Sequence, residues 1–253
     1  DLHPPWRAAG TSRYHRGGTA IKGDKLMRVW DVHPGYLARQ QLLGEHRELH
    51  GLANILMHGK KGYSQHPETL RWVGRLPALA MRHRQLSCEM ALRGYNDKTP
   101  LPVEDEVHWP DVWIDPPHRQ FELLRGKYAA DGRSGRIPLP ANSQQLWAQH
   151  KYSVMASNPK LYSGIGPEVS HGRYRDDMEK LALLLTEEIR TQPSAGRLRN
   201  ALLHMWGYVA EDGAQPSGDD AELMRQIQLL AVKQEQNYLL ASTALSGLAV
   251  WCS

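Results

Sequence analysis

Residues 27–49 read MRVWDVHPGYLARQQLLGEHREL, and the rest of the chain is best read outward from them. From Pro34 onward the pattern is helical, with Leu42, Leu49, Ala53 and Leu56 recurring at helical spacing and expected to face a core. At about 100° per residue, Gln40 and Arg47 share the face opposite that stripe, while Gln41 and Glu48 share a flank. Glu48 therefore falls at the edge of the buried face, where desolvation raises a carboxyl pKa. Gly44 interrupts the pattern and is expected to bend the helix. At the other end of the stretch, Met27 precedes Arg28. A chain starting at Met27 would offer an α-amine with a reference pKa of about 7.7–8.0, against about 10.4 for lysine. Such an amine is neutral at pH 7 roughly a few hundred times more often than a lysine, and it can form a Schiff base with an aldehyde carbon.

Downstream, Gly59-Lys60-Lys61-Gly62-Tyr63 predicts a turn carrying two cations and an aromatic ring, either a phosphate-holding loop or a solvated one. His66-Pro67-Glu68 opens the next element, with His66 as a cap or a pocket residue. A helix is expected over Pro77–Arg93, ending at Gly94 as C′ residue, with Leu79, Leu86 and Met90 in the core. Residues 97–142 form a proline-rich connector with an acidic patch at Glu104-Asp105-Glu106 and a short helix around Gln120–Tyr128. Trp109 and Trp113 are expected to pack between domains, with base stacking as the alternative. Beyond the connector the pattern is helical throughout. Met178, Leu181, Leu185 and Ile189 form one stripe, Leu198, Leu202 and Met205 a second, and Leu223, Ile227 and Leu230 a third.

Charge is uneven along the chain. Residues 1–26 hold 5 Lys/Arg against 2 Asp/Glu, residues 27–100 hold 11 against 6, and residues 101–253 hold 15 against 19. The basic excess thus sits on the first third, as a phosphate-binding surface requires. Two cysteines, Cys88 and Cys252, supply neither a disulfide framework nor zinc spacing, and no HExxH pattern occurs among the thirteen histidines. No metal or organic cofactor is expected. An apolar run of eighteen residues is absent, so no membrane span is expected.

Several motifs in residues 27–96 resemble the phage pyrimidine-dimer DNA glycosylase family, the dimer-cutting endonuclease V type. They are Arg28, then Gln40-x-Leu42-x-x-Glu45-x-Arg47-Glu48-Leu49, then Arg84-Gln85-Leu86 and Glu89-x-x-x-Arg93-Gly94-Tyr95-Asn96. The resemblance implies that the α-amine of Met27 is the nucleophile and Glu48 the catalytic acid/base. It further implies that Arg28 and Arg47 grip phosphates and that Gln40 touches DNA. Lys60 and Lys61 join these as DNA-binding candidates. Two positions differ from the family pattern: Gln41 stands where the family has histidine, and Gly51 where it has arginine. A second resemblance is carried by Leu146-Trp-Ala-Gln-His-Lys-Tyr152, by Asn158-Pro-Lys-Leu-Tyr162, and by Asn200-x-x-x-His204-x-x-Gly207-Tyr208. These are similar to a helical domain of unknown function that elsewhere accompanies a thiouracil desulfidase-like domain. His150, Lys151, Asn200 and His204 are either a polar site there or satisfied packing groups.

The expected architecture is mainly α, an endonuclease-V-like helical glycosylase domain at 27–96 followed by an all-α bundle at 143–250. Residues 1–26, rich in Gly, Arg, Pro and His, are expected to be a disordered extension reflecting a misplaced start. The expected function is a cytoplasmic, nucleoid-associated DNA repair glycosylase with AP-lyase activity on double-stranded DNA carrying a lesion. Two rivals stand beside it: a non-catalytic nucleic-acid-binding protein, and an enzyme acting on modified nucleobases through the C-terminal domain.

Overall fold

The computed structural model describes residues 27–102, 106–211, 213–216 and 218–252, with Asp131 described for its backbone alone; the expectation for residues 1–26 lies outside them. Among the described residues the chain is helical, with no strand. The helices are α1 (Arg39–His58), α2 (Pro67–Arg71), α3 (Leu76–Leu92), α4 (Pro117–Asp131), α5 (Ser143–Ser157) and α6 (Pro159–Ser170). They continue as α7 (Met178–Glu188), α8 (Ala195–Trp206), α9 (Asp220–Lys233), α10 (Asn237–Leu240) and α11 (Ala244–Gly247). Short 3₁₀ turns occupy Pro34–Tyr36, Gly62–Gln65 and Leu248–Trp251.

Residues 27–38 are the unusual part. All but Arg28 are buried, yet up to the 3₁₀ turn they belong to no helix and pair with no strand. A buried N–H without a partner costs about 1–3 kcal/mol, so side chains must supply the acceptors. Helices α1, α2 and α4 do so. Arg28 N–H donates to Glu48 Oε2 (2.8 Å), Val29 N–H to Glu68 Oε1 (3.3 Å) and Trp30 N–H to Glu45 Oε1 (3.2 Å). Asp31 and Val32 N–H both donate to Gln120 Oε1, at 2.7 and 3.3 Å. Glu45 and Glu48 lie one helical turn apart and meet residues 30 and 28, so α1 runs antiparallel to this segment. Arg82 Nη1 donates to the Val32 carbonyl at 3.1 Å and Arg71 Nη2 to the Val29 carbonyl at 3.5 Å.

Helix α1 buries Leu42, Leu49, Leu52 and Ala53, leaves Leu56 half-buried, and continues through Gly44 without a break. Helix α3 ends as expected, with Gly94 at φ +78°. The connector helix reaches from Pro117 to Asp131, longer than the predicted 120–128. A proline in its first turn is already set at a helical φ, and Gly132 closes it in left-handed backbone. It buries Phe121 and Leu124. The loop after it closes on the 33–38 turn: Ile137 N–H donates to the Gly35 carbonyl at 2.9 Å. A Cβ at Gly135 would lie 2.4 Å from the Tyr36 carbonyl carbon, so that approach requires glycine.

One apolar cluster runs from Met27 to Leu185 and takes in α1, α3, α4, α5 and α7. A second, from Tyr152 to Leu248, lies among α5, α8, α9 and the C-terminal turns. Helix α5 supplies Leu146 and Val154 to the first and Tyr152, Met155 and Ala156 to the second. The three stripes expected in the C-terminal half are present: Leu181, Leu185, Leu198, Leu202, Met205, Leu223 and Ile227 are buried.

Candidate active site

Glu48 is half-buried on α1, and its Oε2 accepts the Arg28 N–H one peptide from the Met27 nitrogen. The partners are 20 residues apart in sequence, brought together because the segment before α1 doubles back along it. Arg28 extends to Asp115, with Nη1 2.5 Å from Oδ2, and its guanidinium sits 5.0 Å from the Trp30 ring. Gln40 and Arg47 are both exposed on the outward face of α1, and Arg47 Nε donates to the Leu43 carbonyl at 3.2 Å. Lys60 and Lys61 are exposed on the turn after α1.

Beneath Glu48 lies a charged interior. Glu45, 2 % exposed, takes a two-pronged ion pair from Arg82, Nε to Oε1 at 2.8 Å and Nη2 to Oε2 at 3.2 Å. Burial nevertheless pushes its carboxyl up to about 7, outweighing Arg82, with Asp31 and Glu68 adding repulsion. Burial also raises Glu68, against the attraction of Arg71. Asp31 behaves differently: burial would raise it, yet Arg71 and Arg190 hold it below the usual carboxylate value. Arg190 reaches Asp31 Oδ1 at 2.6 Å from beyond α7, with its guanidinium between the Trp109 and Trp113 rings at 4.4 and 4.5 Å. The two tryptophans thus pack the junction between the halves, as expected. Glu89 is the second tie across that junction. Arg93 (2.7 Å) and a bidentate Arg136 (2.9 and 2.7 Å) override burial and hold it at about 2, and Ser246 donates to it at 2.5 Å.

Burying these carboxylates has an external consequence. Four of the six acidic residues between 27 and 100, Asp31, Glu45, Glu68 and Glu89, are buried. The exposed charged residues of that segment are all cations: Arg39, Arg47, Lys60, Lys61 and Lys98. Its surface is therefore more basic than its composition.

Sequence reasoning singled out Glu48 but passed over Glu45, Glu68 and Gln120 as backbone acceptors. The available signal was a run of buried-type residues, Val29 to Ala38, with no strand partner and carboxylates at helical spacing beside it. It also passed over His46, His50, His83 and Asp97, whose ligand-type atoms lie within 4.8 Å of one another. A search for HExxH or Cys/His spacing does not see a set assembled from three segments. His66 is a cap: its Nδ1 accepts the Glu68 N–H at 3.1 Å. In the C-terminal half, His150 is buried with Nδ1 2.9 Å from the Leu146 carbonyl, Lys151 lies over the Tyr152 and Tyr238 rings, and Asn200 and His204 are exposed. His150 and Lys151 are thus satisfied packing groups, and the exposed Asn200 and His204 lie outside the packed interior.

Comparison with known proteins is informative at the family level. Residues 27–103 match the model for pyrimidine dimer DNA glycosylase, and residues 151–229 match that for a protein of unknown function (DUF1722). No curated protein and no solved structure matches the chain. The first match begins at Met27 and encloses Glu48, the buried carboxylates and the basic surface, and it supports a DNA-glycosylase-type function for the N-terminal part. The chain thus joins a segment matching the pyrimidine dimer DNA glycosylase family to a segment matching a family of unknown function.

Proposed function

We propose that the protein is a DNA repair glycosylase with AP-lyase activity, acting on double-stranded DNA with a damaged base of the pyrimidine-dimer type. The observation that carries this reading is the 2.8 Å contact between Glu48 and the Arg28 N–H, which keeps a carboxyl group beside the Met27 nitrogen. With the chain starting at Met27, the α-amine attacks the sugar C1′ and the damaged base leaves with a proton. Glu48 protonates the ring oxygen as the sugar opens to the imine. Loss of the C2′ proton then expels the 3′ phosphate, and water hydrolyses the imine to free the enzyme. Reaching C1′ involves displacing a nucleotide, at a cost of a few kcal/mol. Contacts from Gln40, Arg47, Lys60 and Lys61 offset that cost, as does Arg28 on exchanging Asp115 for a phosphate. The division of labour we propose is catalysis in 27–96, a connector over 97–142 and a bundle over 143–250, working as a cytoplasmic, nucleoid-associated protein.

The test compares protein starting at Met27 with the 253-residue chain, each incubated with an abasic duplex and borohydride. Covalent trapping of the Met27 form alone is the expected result. A second reading is favoured by one observation: 26 residues precede Met27 in this chain, which makes its nitrogen an amide. In that form the protein binds nucleic acid without cutting it, and absence of trapping in both forms would select this reading.

A further inference from the structure

We propose that His46, His50, His83 and Asp97 bind a divalent transition-metal cation of the zinc class in a closed, four-ligand structural site. His50 Nε2 lies 3.1 Å from His83 Nε2, and His46 Nε2 lies 3.3 Å from Asp97 Oδ1. His83 Nε2 lies 3.7 Å from Asp97 Oδ2, and all four ligand atoms fall within 4.8 Å of one another. Tetrahedral zinc with bonds of about 2.0–2.1 Å sets its ligand atoms about 3.4 Å apart, and the pairs at 3.1, 3.3 and 3.7 Å already hold nearly that spacing. Three imidazoles with one carboxylate suit zinc and its neighbours rather than magnesium or calcium, which take oxygen ligands. Four protein ligands leave no open position for a reacting water, which marks a structural site.

The surroundings fit ligation. Ser87 Oγ donates to Asp97 Oδ2 at 2.8 Å and Thr99 N–H to Asp97 Oδ1 at 2.9 Å, fixing the carboxylate as outer partners of a metal site do. Thr99 Oγ1 lies 3.0 Å from His50 Nε2 and competes for that nitrogen's lone pair.

Position gives the site its consequence. His46 and His50 stand one turn apart on α1, His83 is on α3, and Asp97 follows the end of α3. Glu48 lies between the two histidines in sequence but about 160–200° around the helix from them. A cation there fastens α1 to α3 from behind the turn that presents Glu48 and Arg47. It touches no reacting atom, and the proposal stands whether or not the lyase chemistry does.

The test uses the full chain, stripped with a chelator and titrated with cobalt(II) alone, then with zinc. One equivalent of cobalt should give the visible bands of tetrahedral coordination, and zinc should abolish them. Ser87→Ala should weaken binding by about 10–100-fold, as loss of an outer partner does. His50→Ala and Asp97→Ala should lose the bands while keeping a helical circular-dichroism spectrum, and His58→Ala should keep them. Should His50→Ala fail to fold, Asp97→Ala decides, because Asp97 sits beyond the helix end and its change removes both carboxylate oxygens. Wild-type protein without tetrahedral bands, or bands that persist in folded Asp97→Ala, would overturn the site.

Discussion

Between Asp31 and Glu89 the interior holds four buried carboxylates and the buried guanidinium of Arg82, whereas between Tyr152 and Leu248 it holds aliphatic side chains, aromatic rings and a few hydroxyls. The contrast follows from backbone. In the C-terminal half most buried residues lie in helices, which satisfy their own N–H groups and need mainly apolar surface from their neighbours; the buried Thr243 N–H, outside a helix, is met by the Gln149 carbonyl at 2.8 Å. In the N-terminal half an extended segment is buried without a sheet, and its donors are met one by one by Glu48, Glu68, Glu45 and Gln120. The charges are the cost of placing residue 27 deep against a helix. Arginines then balance them from within, Arg82 and Arg71 locally and Arg136 and Arg190 from beyond α4 and α7.

If Glu48 is the exception among these carboxylates, acting chemically rather than structurally, Glu48→Gln separates the two roles. The amide oxygen still accepts the Arg28 N–H, so the melting temperature should move little. Strand cutting by the Met27-start protein should fall by about 10²–10⁴, the usual worth of a positioned acid/base. Full activity in this variant would return Glu48 to the structural set.

Stranding a buried charge should hurt the charged interior more than its size suggests. Arg136→Met leaves Glu89 with Arg93 and the Ser246 hydroxyl, and loss of one partner of a buried pair typically costs about 3–5 kcal/mol. Denaturant unfolding of Arg136→Met should show a loss near the lower end of that range. A loss under about 1 kcal/mol would mean that the tie between the halves carries little.

The two most perturbed carboxylates should also pull stability in opposite directions with pH. Glu89 is held at about 2 in the folded chain against an ordinary 4.5, so the unfolded chain binds the extra proton. Its stabilisation is present above pH 4.5 and is lost as pH falls toward 2. Glu45 is raised to about 7, so here the folded chain holds the extra proton. Its contribution is largest below pH 4.5, declines as pH rises to about 7, and is level beyond. Each effect amounts to about 3 kcal/mol at most. Glu45→Gln should therefore flatten stability between pH 4.5 and 7, and an unchanged slope there would place the titration elsewhere.

What the sequence made legible divides along the same line. Apolar stripes at helical spacing, such as Leu198, Leu202 and Met205, declared their helices, because a helix is a local object with a local period. Glu48 was legible through its fixed spacing from Met27 within a recognisable motif. Glu45, Glu68 and Gln120 were not, because their role depends on which backbone donors the fold brings against them. The same holds for Asp97, which closes on two histidines of α1 only after α3 has turned back.

The smallest effect concerns the surface that the buried carboxylates leave behind. With Glu45, Glu68 and Glu89 inside, Lys60 and Lys61 present their full charge to solvent. If both meet phosphates, each releases about one counterion on binding a duplex. Lys60→Ala and Lys61→Ala should each lower the slope of log affinity against log salt by about 0.9, weaken binding a few-fold at moderate salt, and leave the melting temperature in place. A slope unchanged in the double variant would confine the phosphate-binding surface to the outward face of α1, where Gln40 and Arg47 stand exposed and Gly51 takes the place of the arginine that the family carries there.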